Sequence, residues 1–249
     1  MLVVGNGLQF CTSGTDNARD RQQTPRRAQQ MKDLTISSAD LDKTAEDGPR
    51  RRGNRTTRVP AIIEAAIEVF ASEGNAGFTQ RRIASDAGIR LRTLQHYFST
   101  REELLRATIE AFTSRYFEHY RTIAEDKRRP PEARLEVIVD EAFSVLTAAG
   151  GKRVSAFVLE SWSLAEHESA LHALMAKTTA DFQALLAELI AQINPTLAAR
   201  ECTLRGALLL SHLQGLVVYL RRADTNTLDA DSFRHAMKVV WRALSKASP

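Results

Sequence analysis

Residues 58–104 read RVPAIIEAAIEVFASEGNAGFTQRRIASDAGIRLRTLQHYFSTREEL, and the spacing of their apolar side chains decides the fold. Ile63, Ala66, Ile67 and Phe70 recur at i, i+3, i+4 and i+7, which predicts a helix over 58–72 with Pro60 in its opening turn, where no N–H is needed. Gly74 ends that helix, because a residue without Cβ tolerates the left-handed closing turn. Thr79 is placed to cap a second helix over 80–86, which turns Ile83, Ala84 and Ala87 inward. Gly88 then falls in a tight turn that a Cβ would strain, and a third helix follows with Ile89, Leu94 and Phe98 on its apolar side. Three short helices with a glycine turn before the third are how a chain builds a helix-turn-helix.

In such a motif the third helix enters the DNA major groove. Here its outward positions are Arg90, Leu91, Arg92, Thr93, Gln95 and His96, a face rich in the hydrogen-bonding groups that groove reading requires. The charge agrees with this placement. Residues 1–49 carry 6 Lys/Arg against 7 Asp/Glu, residues 50–106 carry 11 against 6, and residues 107–249 carry 17 against 17, so the positive surplus belongs to the helix-turn-helix and its lead-in. Arg50, Arg51, Arg52, Arg55 and Arg58 form a basic arm that either follows DNA phosphates or is a solvated tail.

Outward from this segment the chain divides in two. Residues 1–55 mix Gly, Ser, Thr, Asp, Gln and Arg without apolar periodicity, and read as a disordered basic extension; Met31 within it is an alternative start. After Arg101 the pattern is helical to the end, with helices expected near 102–126, 131–149, 152–166, 168–193, 196–222 and 229–246. No useful length alternates like a strand, so the fold class is all-α: a three-helix DNA-binding domain over 56–104 and a larger helical domain over 105–249. The longest apolar run, Gly206 to Leu220, is broken by Ser211, His212 and Gln214, and reads as a buried helix rather than a membrane span. The opening MLVVGNGLQF has no secretory pattern, and Cys11 and Cys202 offer no disulfide framework, so a reducing cytoplasm is expected.

The combination IIEAAIEVFASEG, FTQRRIASDAGI and TLQHYFSTREEL resembles the N-terminal domain of the TetR family of bacterial transcriptional regulators, over about one fifth of the chain. The resemblance implies a homodimer that sets two recognition helices in successive major grooves of a palindromic double-stranded operator. It also implies repression relieved by a small molecule in the C-terminal domain, and a location on the nucleoid when bound. Carried over by position, Thr79, Thr93, Tyr97 and Arg101 hold phosphates, while Gln80, Leu91 and Arg92 approach bases. Three positions depart from the family pattern. Arg90 stands where Ser or Thr is usual, so the recognition helix lacks a side-chain cap at a cost of about 1 kcal/mol. Arg92 replaces a small residue, and Gln95 replaces a tyrosine that contacts phosphate, leaving Gln95 to read adenine.

In the larger domain, Leu204, Leu208, Ser211, Gly215, Val218 and Arg222 follow one helical line and Phe233, Ala236, Met237, Val240, Trp241 and Leu244 another. The family uses this pair as its dimer face, and the alternative is an ordinary intrachain core. Phe112, Phe117, Phe143, Phe157, Trp162, Met175 and Phe182 concentrate aromatic surface, either as core or as the wall of a pocket for an apolar or aromatic effector. Trp162 is the leading pocket position, with Phe112, Phe143, Met175 and Phe182 beside it, because Glu160, Ser161 and Ser163 bring polar groups near. His167 and His172 are five apart, not a metal-binding pair, and no catalytic motif or cofactor loop is present. The remaining rival is a constitutive or architectural DNA-binding protein whose larger domain only dimerises or binds a protein partner; a filled core there, without a cavity, would favour it.

Overall fold

The computed structural model describes residues 55–222 and 229–248. Among them the chain is all-α: α1 (Arg55–Gly77), α2 (Gln80–Asp86), α3 (Leu91–Tyr97), α4 (Arg101–Ala124), α5 (Pro131–Thr147), α6 (Gly151–Ala165), α7 (Ser169–Ile193), α8 (Ala199–Arg222) and α9 (Ala230–Lys246). The expected N-terminal extension with Arg50, Arg51 and Arg52 of the basic arm, and residues 223–228, lie outside the described residues.

The first helix begins a turn earlier than its periodicity predicts, so Pro60 lies inside it and leaves one carbonyl of the preceding turn without its usual donor. Gly74 breaks the helix as expected, at φ 65° and ψ −164°, a conformation closed to residues with a Cβ. The Thr79 hydroxyl caps α2 by accepting from the Arg82 N–H at 3.2 Å, and Gly88 takes φ 63° in the turn that follows. α3 starts at Arg90 with no side-chain cap, as the departure at that position implies. At the next junction Thr100 accepts from the Glu103 N–H at 3.0 Å, while Glu103 reaches back to the Ser99 N–H and hydroxyl at 2.8 and 2.9 Å.

Two apolar cores follow from the side chains these helices turn inward. One gathers Ile62, Ile67, Phe70, Phe78, Ile83, Leu94, Leu104 and Ile109 from α1 to α4, and continues without interruption to Phe157 of α6 and Leu171 of α7. The other gathers Leu135, Ile138, Phe143, Leu186, Ile190, Leu209 and Trp241 from α5, α7, α8 and α9. Because α4 runs unbroken past residue 104, it belongs to both parts of the chain.

Buried cations close helix ends in the larger body. Arg134 donates to the Ala124 carbonyl at the end of α4 and to Gln192, and Arg205 donates to the Leu244 and Ala247 carbonyls at the end of α9 while pairing with Glu201. Outside, Glu132, Glu136 and Asp140 of α5 repeat every four residues and meet Lys246, Arg242 and Lys238 of α9, an ion-pair ladder along two antiparallel helices. α8 alone among the described helices has the length and hydropathy of a membrane-crossing segment, but Leu209, Leu210 and Leu216 pack into the body and its Arg205 is buried.

Candidate nucleic-acid interface and internal cavity

Several donors of the helix-turn-helix stand exposed without a carboxylate at ion-pair distance among the described residues. Arg90 and Arg92, with Gln95 and His96, are exposed on α3, and Leu94 at the back of the helix is fully buried, which fixes the rotation of α3. Arg81 on α2 is also exposed, and like Arg90 and Arg92 it meets no carboxylate among the described residues. It was missed in the sequence because it sits beside Arg82, whose guanidinium is taken by Asp86 at 3.0 Å and Glu73 at 3.1 Å. Only folding tells these neighbours apart.

Thr79 uses its hydroxyl oxygen as a helix cap, which leaves the O–H to donate outward. Thr93 and Tyr97 are half-buried at the edge of α3, and Leu91 is half-buried against the core, with part of its surface left for a thymine methyl. Two of the expected DNA contacts also bond within the chain. Half-buried Arg101 donates from Nε to the Phe78 carbonyl at 2.8 Å, its Nη2 binds the backbone carbonyl and side chain of Asn75, and its guanidinium lies over the Phe78 ring. Gln80 directs its amide Nε2 to the Phe98 carbonyl at 2.9 Å, tying the start of α2 to the end of α3. Gln80 and Arg101 thus bind the Phe98 and Phe78 carbonyls at the tight chain reversals, and Arg101 shares the Asn75 carbonyl with the Phe78 N–H.

In the larger body, α4 to α8 line a half-open cavity of about 180 Å³. Phe112, Trp162, Met175 and Phe182 line it, as expected from their types. Phe143 does not: Ala142, Val145 and Leu146 present the cavity face of α5, and Phe143, one residue round the helix, is buried in the second core with its ring 5.8 Å from that of Phe233. The polar neighbours of Trp162 also point elsewhere. Ser161 donates to the Phe157 carbonyl at 2.8 Å, and Glu160 accepts from the Asn75 N–H at 2.9 Å. The wall carries no formal charge, and its polar groups come instead from Thr113, Tyr116, Tyr120, Thr178, Thr179 and Gln214.

A family model described as bacterial regulatory proteins of the tetR family matches residues 62–108. The regulator BetI of Paraburkholderia phymatum is 31% identical over 155 residues, an alignment that covers 59% of the chain and 74% of BetI. The chain belongs to the TetR family of bacterial regulatory proteins. The repressor KstR2 of Mycobacterium tuberculosis (strain H37Rv) is 30% identical over 106 residues, 43% of the chain, which spans about half the length of KstR2 at 49%. Among solved structures, FadR of Bacillus subtilis, in complex with stearoyl-CoA, shares the fold at a TM-score of 0.59 and 17% identity, over 77% of this chain and 100% of that one. These relatives are named transcriptional regulators and repressors.

In this TetR-family chain the cavity and the helix-turn-helix meet through shared elements. α6 turns Val154, Val158 and Trp162 to the cavity and Arg153, Phe157 and Glu160 to α1. Phe157 stacks on cavity-lining Phe112 at 3.8 Å and stands edge-on to Phe70 at 4.8 Å, which in turn contacts Phe78 at 5.7 Å. Arg153 pairs with Glu68 of α1, whose carboxyl is raised by burial and lowered in part by Arg153. The loop from Asn75 to Phe78 is held from both sides, by Glu160 of α6 at its N–H and by Arg101 of α4 at its carbonyls.

Proposed function

We propose that the protein is a ligand-responsive transcriptional repressor that binds a two-fold symmetric operator as a homodimer and releases it when a small molecule enters the cavity. The observation that carries this reading is the sharing of α4 and α6 between an uncharged cavity and the loop that leads into the helix-turn-helix. A ligand acts only through a difference in affinity between two arrangements. Widening the cavity displaces α4 or α6, and each carries a bond to the Asn75–Phe78 loop. A cavity, in place of a filled core, favours ligand response over a body that only dimerises.

The homodimer rests on α8 and α9. Leu204, Leu208, Val218, Tyr219, Phe233 and Val240 are exposed there, a run of apolar surface that a second copy would cover. Met237 and Trp241, by contrast, face the intrachain core. FadR, with the same fold, was solved holding stearoyl-CoA, and KstR2 is named a repressor; both support the ligand and the sign of regulation. The test is selection of bound DNA from a random duplex pool at several salt concentrations. A motif with two-fold symmetry and a steep salt slope is expected; an asymmetric motif, or none, would refute the operator reading.

A further inference from the structure

On α3 one buried residue fixes what the others face. Leu94 is fully buried in the first core, and at about 100° per residue Arg92 stands about 160° from it and Gln95 about 100°, both to the same side. They are three residues apart, hence surface neighbours, and both are exposed. His96 leaves that side: its ring stands edge-on to the half-buried Tyr97 at 5.3 Å, with Thr93 on the same flank. Neither Arg92 nor Gln95 has a side-chain hydrogen bond or ion pair among the described residues.

Folding also decides which amide is left to read a base. Of the three amide side chains in the described helix-turn-helix, Asn75 accepts from Arg101 and Gln80 donates to the Phe98 carbonyl at 2.9 Å, so Gln95 alone keeps both ends free. An amide donates and accepts at once, the complement of adenine N7 and N6, whereas the Arg92 guanidinium offers two parallel donors, the complement of guanine O6 and N7. α3 carries no Asp or Glu, the side chains that take the cytosine amino group. With α3 along the major groove, three residues rise about 4.5 Å against about 3.4 Å between base pairs, so the two side chains reach successive pairs.

We propose that Arg92 and Gln95 form one reading unit that selects, in each half-site, a G·C pair next to an A·T pair, with Arg92 on the guanine and Gln95 on the adenine. The inference rests on the operator reading above and narrows it to a base-pair step.

The test selects sites from a random duplex pool with the full-length protein, Arg92→Ala and Gln95→Ala, and then varies the wild-type site one base pair at a time in affinity titrations. Each half-site of the wild-type motif is expected to hold adjacent G·C and A·T pairs, and replacing either pair is expected to weaken binding about 5- to 150-fold. Arg92→Ala is expected to relax the G·C position by at least about five-fold and to keep the A·T preference within about two-fold; Gln95→Ala is expected to do the reverse. Both side chains are exposed, so both variants are expected to melt with the wild-type protein, which separates lost reading from lost fold. A symmetric motif without the adjacent pairs, or variants that relax other positions or none, would overturn this assignment and leave the operator reading in place. No motif from the wild-type protein would overturn both.

Discussion

On the helix-turn-helix, Arg81, Arg90 and Arg92 stand exposed with no carboxylate at ion-pair distance among the described residues, whereas in the larger body Arg115, Arg121, Arg153, Arg234, Lys238, Arg242 and Lys246 each meet an acid and Lys127, Lys152, Arg200, Arg221 and Arg222 do not. The buried Arg134 and Arg205 are occupied with helix carbonyls. Cations that hold a fold together come with their partners in the same chain. Exposed cations grouped on one face repel each other, and they are tolerable where an external polyanion supplies the countercharge. Arg81, Arg90 and Arg92 are thus among the cations that folding leaves available to a polyanion, while the ion-paired cations of the larger body are engaged in its packing.

The largest expected effect breaks the bridge between the two regions. Phe157→Ala removes the ring that touches both Phe112 and Phe70, and is expected to destabilise the protein by about 3–5 kcal/mol in denaturant unfolding. A loss below about 1 kcal/mol would mean that the first core, which runs from the helix-turn-helix into α6, does not depend on this ring. Next, Arg92→Ala is expected to cost about 1–3 kcal/mol of operator affinity and to relax preference at one base position; uniform weakening across sequences would make Arg92 a phosphate contact instead. Glu160→Ala leaves the half-buried Asn75 N–H without its acceptor, and about 1 kcal/mol of stability should go with it, together with faster amide exchange over 75–78.

The smallest effect concerns the junction between α3 and α4. The Ser99 hydroxyl, then the Ser99 N–H, hold the Glu103 carboxyl below the usual carboxylate range. A lowered folded value means that the cap stabilises above the unfolded value of about 4.3 and loses that contribution as pH falls through the lowered one. Glu103→Gln is thus expected to lower the melting temperature slightly at neutral pH and to make no difference in strong acid; an equal effect at both would rule out the charged cap.

Much of the helix-turn-helix was legible because backbone chemistry dictated it. Thr79, Gly74, Gly88 and the missing cap at Arg90 act within a few residues of themselves, so local sequence contains the reason. The intrachain bonds of Arg101 and Gln80 were not legible, for the opposite cause. Their donors reach 18 to 26 residues away, to Phe98, Phe78 and Asn75, and only the packed chain shows which carbonyls lack partners. In the larger body the helices were legible, but not the choice of core for each aromatic. A rotation of one residue separates Phe143 in the second core from Ala142 at the cavity, and periodicity alone does not say which of two buried faces is hollow. Met237 and Trp241 sat on a line with Phe233 and Val240, yet the first two are buried and the last two exposed.

The opposition between unpaired and paired cations is tested most directly by the salt dependence of duplex DNA affinity in two double variants. Arg81→Ala with Arg90→Ala is expected to reduce the slope of log affinity against log salt by about 0.9 for each phosphate contact removed, close to two per bound chain. Arg115→Ala with Arg242→Ala, which removes equal charge from the larger body, is expected to leave the slope unchanged. Equal losses in the two variants, or an unchanged slope in the first, would contradict the assignment of DNA binding to the unpaired face.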